Sequence, residues 1–127
     1  MILMTSNKEK REKLQEQTLM VAQDLQKVLA VIQHKQHWCQ RSLCRDEAGE
    51  RLFDPFDVKA YSYCLLGVLF AIEAKNETFV YLKHLSKAIG FLDLDRLNDF
   101  NSHEVVLGFV VKAIENLGFK VTKVAIK

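Results

Sequence analysis

His34, His37, Cys39 and Cys44 place four potential metal ligands within eleven residues, and imidazole with thiolate is a donor set suited to a tetrahedral zinc ion. The spacing His-x-x-His-x-Cys-x-x-x-x-Cys lacks the paired Cys-x-x-Cys knuckles of established zinc modules. A hairpin through this stretch would also send alternate side chains to opposite faces. We therefore expect small buried thiols beside a helix end, and no metal. Nucleophilic catalysis would need Cys39, Cys44 or Cys64 as an accessible thiolate, with His84 or His103 in hydrogen-bond reach as base. Cys64 lies in the most apolar segment, and the other two lack the local signature of a nucleophile. Asp93, Asp95 and Asp99 could hold a cation or act as acid and base. They lack the ligand series of an EF-hand, so capping of adjacent helices is their expected role.

Protein recognition is the remaining chemistry. Trp38 with Arg41, Arg45 and Arg51 has the aromatic-plus-guanidinium composition of interface hot spots, and these four are the expected partner-binding residues. The bland alternative for Trp38 is a plug at the end of the helices. Asn98 and Asp99 are expected to be structural anchors, because their side chains can mimic backbone turns and satisfy loop amides. No catalytic residue and no cofactor is expected.

The elements that must position these residues are mostly helical. Ser6-Asn7-Lys8-Glu9 has the form of a capping box, so a helix is predicted over about 6–36. Its buried stripe should be Leu14, Thr18, Val21, Leu25, Val28 and Ile32, widened by Ala22 and Leu29. Such a rod, roughly 40 Å long, exceeds what the domain needs across its core, so two readings stand side by side: self-association as a homodimer, or a helix packed on its own domain with a frayed first turn. The insert over about 38–54 reads as a β-hairpin turning at Asp46-Glu47-Ala48-Gly49. Asp54-Pro55 suggests a helix start, and a helix from about Pro55 to Lys75 would be apolar all round and central to the fold. Gly67 within it implies the close approach of another backbone. Asn76 is expected to cap a third helix ended by Gly90, and Asn101-Ser102-His103-Glu104 offers the cap of a fourth helix ended near Leu117-Gly118-Phe119. One short helical turn is expected between Phe91 and Asn101. A strand over about 119–126 would pair with the hairpin, since a bare β-branched edge is a liability. The predicted fold is thus a mainly α single domain: about four helices, with the helical core over 55–118, a small hairpin and a C-terminal strand.

Composition narrows the partners. Eighteen basic and sixteen acidic side chains among 127 residues give a formal charge of +2, too balanced for a nucleic-acid-binding surface. The longest apolar run, Cys64 to Ile72, is about nine residues, against roughly 20 for a membrane span. The polar residues after Met4 leave no secretory h-region, and three irregularly spaced cysteines favour reduced thiols over a disulfide framework. The expected setting is cytoplasmic, with export by a route lacking a legible signal left open.

Trp38 closing the first helix, the Asp46-to-Gly49 turn, Cys64-Leu65-Leu66-Gly67, and Asn98-Asp99 before the last helix together resemble an uncharacterised family of small bacterial and phage-encoded helical proteins. The likeness spans roughly 38–117. Leu97 stands where that family usually has an aromatic, and Val68 where it usually has Ala. The family carries no reaction, so the resemblance implies a fold. In general character the chain also resembles regulators with which intracellular bacteria inhibit their own ubiquitin-directed transglutaminase or deamidase effectors. That resemblance implies a bacterial effector enzyme as partner and delivery to a host cytosol. The expected function is non-catalytic: a protein-binding regulator or inhibitor that occludes a partner's working site. A small enzyme or zinc protein built on His34, His37, Cys39 and Cys44 is the alternative.

Overall fold

The structure is a computed structural model that describes residues 2–121, with side chains from Asn7 onward. Among the described residues the protein is mainly helical, with one small antiparallel sheet, as the sequence predicts. The first helix, α1, runs Ile2–Ile32, about 46 Å at 1.5 Å per residue. Its backbone passes helically through Ser6, so Ser6-Asn7-Lys8-Glu9 does not open the helix. No Gly or Pro precedes Ser6 to stop propagation, and each added residue gains a hydrogen bond once the helix is nucleated. The buried stripe begins at Val21 and continues through Ala22, Leu25, Val28, Leu29 and Ile32. Leu14 is 61% exposed, and the rod stands clear of the core over residues 7–17.

After Ile32 the chain makes a 3-10 turn at Lys35–His37 and enters the insert. Strands β1 (Cys44–Arg45) and β2 (Arg51–Leu52) form the expected hairpin, in the register Cys44↔Leu52 and Arg45↔Arg51. Asp46 shapes its turn: the carboxylate accepts from Glu50 N–H at 2.8 Å, and Gly49 takes φ +88. A third strand, β3 (Ser62–Tyr63), was not foreseen. It pairs antiparallel with the free side of β1, giving the order β2-β1-β3. Tyr63 also forms a parallel bridge to Trp38.

The helix expected from Pro55 is corrected. Asp54 Oδ1 accepts from Phe56 N–H and Asp57 Oδ1 from Lys59 N–H, each at 2.9 Å. These local turns satisfy the amides that a first helical turn would leave free, and so outcompete it. Tyr61 N–H then donates to Arg45 O at 2.8 Å, drawing the next residues into the sheet. The central helix, α2, is only Leu65–Ala71, with Cys64 as its N-cap.

Helix α3 spans Asn76–Ala88. Asn76 is its first residue, and Lys75 occupies the N-cap without a side-chain bond. The cap comes from α1 instead: buried Asp24 accepts from Lys75 N–H and from Thr78 Oγ, both at 2.7 Å. Gly90 follows with φ +95, as a C′ glycine should. Helix α4 (Leu94–Asp99) opens on Asp93, and α5 (His103–Asn116) opens on Ser102 and closes before Gly118 at φ +92. Residues 119–121 carry no strand. The rest of the strand expected over 119–126 lies outside the described residues.

The core joins α1 to α5 through Val106, Leu107, Val110, Ala113 and Ile114, with Leu65, Val68 and Leu69 of α2 fully buried between other elements. Tyr81 Oη donates to Ala113 O at 2.6 Å, fastening α3 to α5. At Gly67 the helix α2 lies directly against the backbone of the insert. A Cβ placed there would stand 1.8 Å from Leu43 O. That oxygen belongs to backbone that also accepts from Cys64 N–H, so it has little room to yield. Gly67→Ala is therefore expected to lower stability by about 3 kcal/mol or more, read as a fall in the urea midpoint. An unchanged midpoint would contradict this packing.

Candidate functional site

The insert is held on the bundle by one buried amide. Asn98, in α4, accepts at Oδ1 from Trp38 Nε1–H at 2.7 Å and from Leu65 N–H at 3.0 Å, and its Nδ2 donates to Cys39 O at 3.0 Å. It thereby joins the start of the insert to the first turn of α2. Its neighbour Asp99 accepts at Oδ1 from Arg41 N–H at 2.9 Å and from Asn98 Nδ2 at 3.0 Å. Gln40 completes the junction. Its Nε2 lies within hydrogen-bond distance of three carbonyl oxygens, those of Asn98, Asp99 and Asn101, at 2.8 to 3.2 Å. Arg41, at φ +61, lies in the left-handed region that non-glycine residues rarely adopt, and the Asp99 contact holds it there.

These contacts locate the expected interface residues. Trp38 is partly buried, with its indole N–H used by Asn98 and its ring centroid 5.2 Å from that of His103. Arg45 is tied down by bonds to Gly49 O and Gln40 O, whereas Arg41 and Arg51 are exposed. Arg45 and Arg51 face one another across the β1–β2 pair. The four residues therefore do not form one free aromatic-and-arginine patch.

The thiols and imidazoles are placed separately. Cys39, Cys44 and Cys64 are buried and unpaired by disulfides. Burial raises the pKa of all three. For Cys39 it outweighs the opposing hydrogen bond from Ser62 and the charge of Arg45, and Cys64 is pushed up to about 12. Cys64 Sγ accepts from Gly67 N–H at 3.2 Å, making the thiol an N-cap. His37 Nδ1 lies 2.6 Å from Tyr61 O, and buried His103 Nε2 lies 2.6 Å from Ile32 O. His84 is exposed on α3. Among the described residues, no three His, Cys, Asp or Glu side chains converge as a metal site. The carboxylates divide their work: Asp93 caps α4 and pairs with Arg96 at 3.6 Å, while Asp99 braces the insert. Asp95 lines a cleft of about 400 Å³ with Arg41, Ser42, Leu43, Cys64 and Asp99. Burial raises its pKa, reinforced by Asp93 and Asp99.

The surface that sequence reasoning missed is the loop between β2 and β3. Phe53 is 82% exposed, Phe56 60% and Val58 99%, three large apolar side chains within six residues. The loop that carries them is braced by the Asp54 and Asp57 turns, and Asp54 O accepts from Cys44 Sγ at 3.4 Å. The available signal was the alternation Phe-Asp-Pro-Phe-Asp-Val, in which each Asp can close its own turn and leave the apolar neighbours outside. Assigning Phe53 to the hairpin and Phe56 to a helix concealed it.

No protein-family model, curated protein or solved structure matches the chain. Among the described residues no helix is long and apolar enough to cross a membrane.

The buried thiols make an alkaline prediction. Each holds its proton more tightly in the folded chain than in the unfolded one. The associated stability is complete below the unfolded thiol pKa, about 8.5, and is lost as pH rises from there toward the folded values. The urea midpoint should be insensitive to these thiols up to about pH 8 and fall above it. Cys64→Ala should shrink that alkaline fall, even though loss of the cap lowers the midpoint at neutral pH. A wild-type midpoint that holds steady through pH 10 would show that the thiols are not desolvated.

Proposed function

We propose that this protein is a non-catalytic binding module that regulates or inhibits another protein by covering its working surface, and that the β2–β3 loop is the face it presents. The observation that carries this reading is the exposure of Phe53, Phe56 and Val58 on a hydrogen-bonded loop. Apolar side chains held in water forgo roughly 25 cal/mol for each Å² they could bury, so a fixed display of three is a ready source of binding energy. Because the two aspartate turns already order the backbone, little conformational entropy remains to be lost on contact. Exposed Arg51, on the adjoining strand, adds a guanidinium near the apolar group. Trp38 holds the start of the insert on α4 through Asn98.

A nucleophilic or metal chemistry finds less support. The thiols are buried and protonated at neutral pH, and neither His84 nor His103 is hydrogen-bonded to one.

The test is affinity capture from the native cell and from its host, followed by quantification of whatever protein the wild type retains. Phe53→Ser and Phe56→Ser should each weaken that capture about 30-fold or more, the loss of a hot-spot anchor, with circular dichroism and melting unchanged. Phe100→Ser, at another exposed apolar site, should leave it intact. Equal capture by wild type and both loop variants would refute this face.

A further inference from the structure

One groove of the molecule takes no part in the loop's display. Its larger lobe, about 400 Å³, opens between Arg41, Ser42 and Leu43 of the insert, Cys64 at the start of α2, and Asp95 and Asp99 of α4. A second cleft of about 200 Å³ lies among Leu66 of α2, Phe79 and Lys83 of α3, and Asp93, Leu94 and Asp95 of α4. Asp95 lines both, so they are two lobes that meet at this residue. The larger lobe carries charges of both signs, and the smaller is walled by the apolar side chains of Leu66, Phe79 and Leu94. The charges are not spent on one another. Asp93–Arg96 is the one ion pair among the described residues, so neither Arg41 nor Asp95 is matched within the groove. Asp99 is the more committed carboxylate, since its Oδ1 already accepts from Arg41 N–H and Asn98 Nδ2. At Asp95, burial and the charges of Asp93 and Asp99 all raise the pKa, and no cation opposes them.

Opposite charges that line one cavity without pairing match a ligand that carries both. We infer that the groove binds a free α-amino acid with an apolar side chain. The ammonium sits on the Asp95 carboxylate, where the lobes meet. The ligand carboxylate takes the Arg41 guanidinium, whose planar fork suits it. The side chain fills the smaller lobe between Leu66, Phe79 and Leu94. An α-amino acid radiates these three groups from a single carbon, with its charged ends too close together for the two charges to be read by distant sites. A simple alkyl amine would leave Arg41 unmatched, and a fatty carboxylate would leave Asp95 unmatched. The groove is of the size that takes small molecules, roughly 300 to 1,000 Å³. This site is separate from the Phe53–Val58 loop, and the inference stands whether or not that loop captures a protein.

The test is a chemical-shift titration of the isotope-labelled full chain with L-leucine and with L-phenylalanine, each up to about 10 mM. The amides of Arg41, Leu43, Leu66 and Asp95 should shift saturably, with a Kd on the order of 1 mM or below, while those of the Phe53–Val58 loop stay in place. Leucinamide lacks the carboxylate, N-acetyl-leucine the ammonium and glycine the side chain, and each should bind about 10-fold more weakly than leucine or worse. Asp95→Asn and Arg41→Gln alter exposed side chains, and Arg41→Gln keeps the backbone N–H that bonds to Asp99, so melting should be unchanged. Each should weaken leucine about 10-fold. The pairing is checked by crossing variants with analogues: Arg41→Gln should erase the preference for leucine over leucinamide, and Asp95→Asn the preference over N-acetyl-leucine. Absence of a saturable shift at these amides with either amino acid would overturn the inference. So would a capped analogue that binds as tightly as leucine, or a variant that titrates like the wild type.

Discussion

One side-chain amide governs the arrangement of this protein. Asn98 is fully buried, and its carboxamide satisfies the Trp38 indole, the Leu65 amide and the Cys39 carbonyl at once. Each of these groups sits where the chain changes direction, and each would be costly to bury unpaired. Satisfying them with one residue forces the start of the insert and the start of α2 to meet at a single point on α4. Gln40 and Asp99 extend the same junction to Arg41 and to the carbonyls at the end of α4.

From that junction the insert is built outward in layers. Leu43 lies against Gly67, so the sheet approaches α2 at backbone distance. β1 is paired on both sides, and the loop beyond β2 is closed by the two aspartate turns. The outcome is a surface whose backbone groups are largely used internally, while Phe53, Phe56 and Val58 remain outside. Ordered backbone with unburied apolar side chains distinguishes this segment from a frayed loop.

Local signals in the sequence were legible where local physics decided the outcome. The Val21-to-Ile32 stripe, the Asp46-to-Gly49 turn, a cap within 101–104 and the left-handed glycines at 90 and 118 depend on residues close together in the chain. Other features depend on partners far apart. Asp24 caps α3 from 51 residues away, and nothing around Asn76 hints at it. The residue types of Asn98 and Asp99 suggest turn-mimicking side chains, but the partners of Asn98 lie up to 60 positions distant. The Pro55 region misled for a different reason: Asp-Pro suits a helix start, and the same Asp can instead close a turn on its own. The exposed loop was hidden by that choice, because a helix there would have turned Phe56 toward the core.

The central claim is that the insert is a preformed face locked to the bundle through Asn98. Amide hydrogen exchange tests it most directly, at Cys39, Tyr61, Cys64 and Leu65, whose N–H groups bond to Tyr63 O, Arg45 O, Leu43 O and Asn98 Oδ1. These amides should exchange as slowly as the buried turns of α5, opening only with the whole fold, and Asn98→Ala should release them together. Exchange in the wild-type protein at rates near those of an unstructured peptide, with α5 still protected, would mean that the insert is not locked to the bundle.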